Sequence, residues 1–269
     1  MTFRMLPLVL LVSVLGLGGC VTAPTSSISG DAVGVSRPMS DVQPAAGPDA
    51  RARVHVDLGQ AYFEIGRYDV ALDEGKLALA ESPSYAPAFH LLGLTYMMID
   101  ENGSAGEYFT RALNAAPGDP DFNNSYGWFL CLQGRETEGL ERFARAARNP
   151  YYRYPTRPYT NAGLCKLRLN KDAEAQQQFM LAIQADPANG EALYQLAAIA
   201  YRRGDFQTAH EQLNRLHQQL RPTAASVWLG LRTARKLGER NAEASYAEQL
   251  RSRFADSAEH VLMMQGKYE

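Results

Sequence analysis

The sequence lacks an excess of either charge: 27 Lys and Arg stand against 29 Asp and Glu, a formal net charge of −2 over 269 residues. With no basic stripe interleaved with aromatics, it offers none of the electrostatic footprint that nucleic acid requires. Histidine is scarce, at five residues. Of these, His210 and His217 are the pair nearest in sequence, and no cysteine or carboxylate stands around them at metal-ligand spacing. Gly-x-Ser-x-Gly, phosphate-loop and dinucleotide-binding patterns are all missing. These absences argue against an enzyme, and neither a cofactor nor a small-molecule substrate is expected. No apolar run reaches the roughly 20 residues that a membrane-spanning helix needs. The apolar run Leu6–Leu15 follows Arg4 and gives way to Gly16, Gly18 and Gly19 before Cys20, the layout of a secretory signal.

Cysteine is also rare, at three residues, and each of the three has a place. Leu17-Gly18-Gly19-Cys20 resembles a bacterial lipobox, whose cysteine is lipidated and becomes the first residue of the mature protein. The residue after it is Val21 rather than the aspartate that tends to mark inner-membrane retention, so an outer-membrane anchor facing the periplasm of a Gram-negative bacterium is expected. Residues 1–19 are then the signal peptide. From 20 to 50 the composition turns to Ser, Pro, Ala, Gly and Thr without periodicity, which reads as a disordered tether. Such a tether reaches roughly 100 Å when fully extended. Export leaves Cys131 and Cys165 as an even pair in an oxidising compartment. They fall on the first helices of neighbouring repeats, and the reading is a disulfide across the intervening bend, with two buried free thiols as the alternative.

The remainder, 51–256, beats with a period of 34 residues. Gly59, Gly93 and Gly127 keep this spacing, and after a two-residue insertion Gly163 and Ala197 resume it. Twelve positions after each comes Ala71, Ala105, Gly139, Ala175 or Ala209, and four further on Gly75, Phe109, Phe143, Phe179 or Leu213. Pro83, Pro117 and Pro187 close three of the units at equivalent places. This is the tetratricopeptide pattern: small residues bring helix A close to helix B, aromatics fill the gap, and proline ends helix B. The expected fold is all-α, a superhelix of about six helix-turn-helix repeats near 52–85, 86–119, 120–153, 156–189, 190–223 and 223–256. The last keeps Gly238 but otherwise reads as degenerate, and a tail follows over 257–269. Between the third and fourth repeats, Asn149 to Tyr159 packs three prolines and four tyrosines into eleven residues. It reads as a fixed bend that absorbs the phase shift, with an aromatic contact surface as the sharper possibility.

Two cysteine-bearing strings are the most individual part of the chain: Asn123-Asn124-Ser125-Tyr126-Gly127-Trp128-Phe129-Leu130-Cys131 and Asn161-Ala162-Gly163-Leu164-Cys165. With the lipobox, the tether and the repeats, they resemble the PilF/PilW family of type IV pilus biogenesis proteins over essentially the whole length. The inserted Ser125 departs from the family's Asn-Tyr-Gly but leaves the repeat phase intact. The resemblance implies an outer-membrane lipoprotein acting as a pilotin, which helps the pilus secretin reach the outer membrane and form its ring. It also implies lipid on Cys20 and a disulfide between Cys131 and Cys165. Repeat register nominates a concave groove for the partner, lined by Phe63, His90, Leu94, Met97, Asn124, Trp128, Leu164, Tyr194 and Tyr201. The convex face of the first repeats competes as a docking surface. Other functions open to such a chain are an adaptor for peptidoglycan enzymes and a broader periplasmic chaperone.

Overall fold

The computed structural model describes residues 36–44 and 46–268. The chain divides into two units, 1–32 and 33–269, and every described residue belongs to the second. The expected signal peptide and Cys20, the expected lipid acceptor, lie outside the described residues.

Among the described residues the architecture is all helix, thirteen α-helices with one short 3-10 turn at Met39–Asp41. The first twelve form six helix-turn-helix pairs: α1 (Pro48–Glu64) with α2 (Tyr68–Glu81), α3 (Ala86–Met98) with α4 (Asn102–Ala115), and α5 (Pro120–Leu132) with α6 (Glu136–Ala147). Then come α7 (Arg157–Arg168) with α8 (Asp172–Ala185), α9 (Gly190–Arg202) with α10 (Phe206–Gln219), and α11 (Ala224–Leu237) with α12 (Arg240–Arg253). Each pair packs within itself and onto the next, the one-dimensional arrangement of a solenoid. Every turn inside a pair places one residue in the left-handed region. Glycine does so in four of them, and Asp100 (φ 61°) and Asn170 (φ 57°) in the other two, where a short polar side chain tolerates it.

The small residues act as the 34-residue period requires. A Cβ built on Gly93 would meet the Phe109 ring at 2.9 Å, and one on Gly163 the Phe179 ring at 2.6 Å. Phe109, Phe143 and Phe179 are buried in the seams that these glycines open. The sixth pair follows the same rule, although its sequence reads as degenerate: a Cβ on Gly230 would strike Tyr246 at 2.6 Å. Glycine and aromatic keep the same separation here but are displaced by one position relative to the Gly238 turn, which hides them from a strict period.

At the seam of α5 against α6, backbone meets backbone. A Cβ at Gly139 would stand 2.7 Å from the Gly127 carbonyl oxygen and 3.3 Å from the Cys131 amide nitrogen. Neither group can rotate away, so Gly139→Ala must push the helices apart. We expect it to cost about 1–3 kcal/mol or more, the range of core overpacking, read as a fall in the urea midpoint. An unchanged midpoint would mean that the helices separate freely.

Both ends depart from the sequence reading. Residues 257–269 are not merely a tail: α13 (Ala258–Met264) lays Met263 against Val227, Trp228 and Leu231, and Tyr268 stacks on Trp228 at 5.5 Å. The apolar side of α11 is thereby covered. At the other end, the segment 36–44 is laid against the repeats, where its composition read as disordered tether, and α1 begins at Pro48. Buried Pro38 and a set of polar contacts from distant repeats hold it there.

Candidate binding groove

The first helices of repeats one to three, together with the bend after α6, wall a cavity of about 480 Å³. Four of the residues nominated from sequence line it: Phe63 on α1, His90 and Leu94 on α3, and Asn124 on α5. Tyr194 and Tyr201 line a second cavity of about 520 Å³ between α9 and α11, beside Phe206 and Arg232. Met97, Trp128 and Leu164 line neither. They are half-buried against the core, Met97 beside the Phe89 and Phe109 cluster, Trp128 beside Cys131 and Cys165, and Leu164 beside the Phe179 cluster.

Cys131 and Cys165 are joined as a disulfide, with Cα atoms 5.9 Å apart and a sequence separation of 34. The bond ties α5 to α7 beneath the bend, among buried Phe143 and Ala162.

Polar residues that repeat register did not find stand beside the apolar ones: Arg53, Asp121 and Arg157 along the groove, and Asp119 and Asn149 behind the segment 36–42. Asp119 caps α5 by accepting the Phe122 N–H at 3.0 Å, and its second carboxylate oxygen accepts the Met39 N–H at 2.7 Å. Burial pushes its carboxyl up to about 6, against the opposing pull of these two bonds. Asp121 is raised by burial as well, and Arg157 offsets part of that. Arg53 donates to the Val42 carbonyl at 2.7 Å and to the Ser40 carbonyl at 3.3 Å. Asn149 donates to the Ser36 carbonyl at 2.8 Å while its own oxygen accepts the Tyr151 N–H at 2.9 Å. His90 packs on the Phe122 ring at 4.7 Å, and its Nε2 is buried with no hydrogen-bond partner among the described residues. Burial pushes this imidazole down to about 3, so it is neutral at physiological pH. Two signals for this polar set were present in the sequence: Asp119 before Pro120 at a helix start, and Asn149 at the head of the tyrosine-rich bend.

The tetratricopeptide repeat family model matches residues 156–189, which is the fourth helix pair with its entry. The type IV pilus assembly protein PilF of Pseudomonas aeruginosa is 28% identical over 253 residues, covering 94% of this chain and 95% of that protein. The crystal structure of PilW, a widely conserved type IV pilus biogenesis factor, superposes with a TM-score of 0.70 at 26% identity, over 79% of this chain and 98% of PilW. This chain belongs with the PilF/PilW tetratricopeptide-repeat proteins. The solved structure of Pseudomonas aeruginosa PilF agrees, with a TM-score of 0.71 at 26% identity, over 82% of this chain and all of that one. A PilF/PilW-type protein is a stack of repeats with concave and convex faces, suited to gripping another polypeptide. Among the described residues no helix is long and apolar enough to cross a membrane.

Proposed function

We propose that this protein is a non-catalytic outer-membrane pilotin. It is anchored by lipid on Cys20, binds the type IV pilus secretin through the groove between α1, α3 and α5, and promotes secretin localisation and ring assembly. What carries the reading is the similarity to PilF over nearly the full length of both chains, beyond what a shared repeat alone would give. The lipobox at Leu17–Cys20 supplies the membrane address, and the groove supplies a surface with apolar walls and main-chain-reading polar groups. A second surface favoured by a specific observation is the outer side of α1, where Val54 is 65% and Ile65 71% exposed. Charged substitutions on one face or the other, Leu94→Asp against Val54→Asp, separate the two docking modes by co-purification of secretin.

The test of the function is made on membranes from cells with and without the gene, probing the secretin on a gel that preserves its heat-resistant multimers. The pilotin reading requires that multimers vanish in the deletion and that secretin monomers collect away from the outer membrane. Cys20→Ala should then restore binding without correct sorting. Multimers unchanged in amount and location would overturn the reading and leave the peptidoglycan-enzyme adaptor as the function to pursue.

A further inference from the structure

The segment Ser36 to Val42 runs along the groove as a 3-10 turn flanked by extended residues Pro38 and Val42. Its contacts fall into two sets. One reads the main chain: the Met39 N–H goes to Asp119, the Ser40 and Val42 carbonyls to Arg53, and the Ser36 carbonyl to Asn149. Such contacts accept any chain in this conformation and confer no sequence preference. The other set reads side chains. Pro38 is buried, Met39 packs against the cluster that holds Phe122 and Phe89, Asp41 pairs with Arg153 at 3.1 Å, and Arg37 lies 5.6 Å from the centre of the Tyr151 ring. The tyrosine-rich bend is therefore a contact surface, and what it contacts is the protein's own N-terminal segment.

Beyond the segment the groove continues, open, between α1 and α3, with Phe63, Leu94 and the unpartnered His90 Nε2 along it. A groove that reads main chain from three separate repeats, holds a short resident peptide and extends past it has the layout of a peptide site with a built-in occupant.

We propose that residues 36–42 are an intramolecular strap occupying the partner site, and that the partner engages the groove with an extended segment of the same chemistry, proline then an apolar residue then an acidic one, by displacing the strap. The proposal rests on the groove being the docking site for a partner. Two properties follow. The strap is a competitor at the millimolar effective concentration of a short tethered segment, so it weakens partner binding until the partner gains from the open part of the groove. Displacement also lengthens the chain between the lipid on Cys20 and the repeats: the longest possible span is about 55 Å to Ser36 and about 95 Å to Pro48, at the reach of an extended chain. Capture of the partner would let the repeats stand further from the membrane.

The probe is a fluorescent peptide of residues 36–44, titrated into the full mature chain and into a chain whose own strap carries Met39→Glu with Asp41→Arg. We expect at least about tenfold tighter binding to the strap-disabled chain, the effect of removing a tethered competitor. The gain should disappear when Asp119→Asn is added. Asparagine still caps α5 through its carbonyl oxygen but turns an amide donor toward the Met39 N–H. Equal affinity for both chains, or a gain that survives Asp119→Asn, overturns the proposal. A second measurement needs no variant: the Met39 amide in the native chain should exchange more slowly than an unstructured amide, and exchange at the unstructured rate also overturns it. Neither readout contains secretin. Failure here therefore leaves the pilotin reading standing, and failure of the multimer test leaves the strap result intact.

Discussion

Replacing Cys131 and Cys165 together by alanine is expected to cost on the order of 4 kcal/mol, the chain-entropy value for a closed loop of about 35 residues. The loop enclosed by the bond, 34 residues in sequence separation, contains α6 and the whole tyrosine-rich bend. Without the cross-link the unfolded chain regains that loop's freedom, while the folded chain loses only the bond between two buried sulfurs. Alanine is the right replacement because serine would bury hydroxyls beside Phe143 and Ala162 and add a cost unrelated to the cross-link. The shape of the transition should change as well. In a stack of repeats each pair is stabilised by its neighbours, so weakening the junction between α5–α6 and α7–α8 divides the cooperative unit there. Urea unfolding of the double variant should therefore show two steps, with amides of the bend exchanging before either half melts. A loss below about 1 kcal/mol with a single sharp transition would mean that the unfolded chain is already compact across this loop.

The helix pairs were legible because their cause is local and repeated. A glycine on helix A and an aromatic sixteen positions later on helix B interlock, and Gly93 with Phe109 and Gly163 with Phe179 announce themselves by recurring in phase. Where the phase slips by one, as with Gly230 and Tyr246, the same physics goes unread. The strap was not legible at all. Its seven residues, Ser36-Arg37-Pro38-Met39-Ser40-Asp41-Val42, carry no periodicity, and its docking depends on Arg53, Asp119, Asn149 and Arg153, drawn from the first three repeats and the bend. Asp119 and Asn149 stand at recognisable cap and turn positions, but nothing local tells that they face a segment 80 and 113 residues away. The groove list was legible in part for a related reason. Register says which residues lie on helix A, but whether Trp128 faces a partner or the neighbouring disulfide depends on how far the next repeat rotates.

His90 should make the domain acid-labile in a way that Asp119 conceals. The imidazole is held near pKa 3 in the folded state, whereas in the unfolded chain it titrates near 6.5. Below pH 6.5 the unfolded chain gains a proton that the folded chain refuses, so stability is lost as pH falls, by as much as about 5 kcal/mol once pH 3 is reached. Asp119 has the opposite sign. Its folded carboxyl titrates near 6 instead of 3.8, so the folded chain takes up its proton first and stability rises by about 3 kcal/mol as pH falls through that window. Asp121, also raised by burial, adds to the same side. Between pH 6.5 and 4 the opposing effects nearly cancel, and the native chain should look insensitive to acid until about pH 4, below which only the histidine loss continues. His90→Leu removes one side of the balance. It also deletes a buried nitrogen with no partner, so at pH 7 it should be neutral or stabilising by about 1 kcal/mol. On acidification to pH 4 it should then gain on the native chain by about 3 kcal/mol. Urea midpoints measured across pH for the variant and the native chain give this difference directly, with the exposed ion pairs common to both dropping out. Parallel curves would show that the His90 ring is hydrated and titrates as it does in the unfolded chain, and the closed apolar wall that α3 gives the groove would then be open to water.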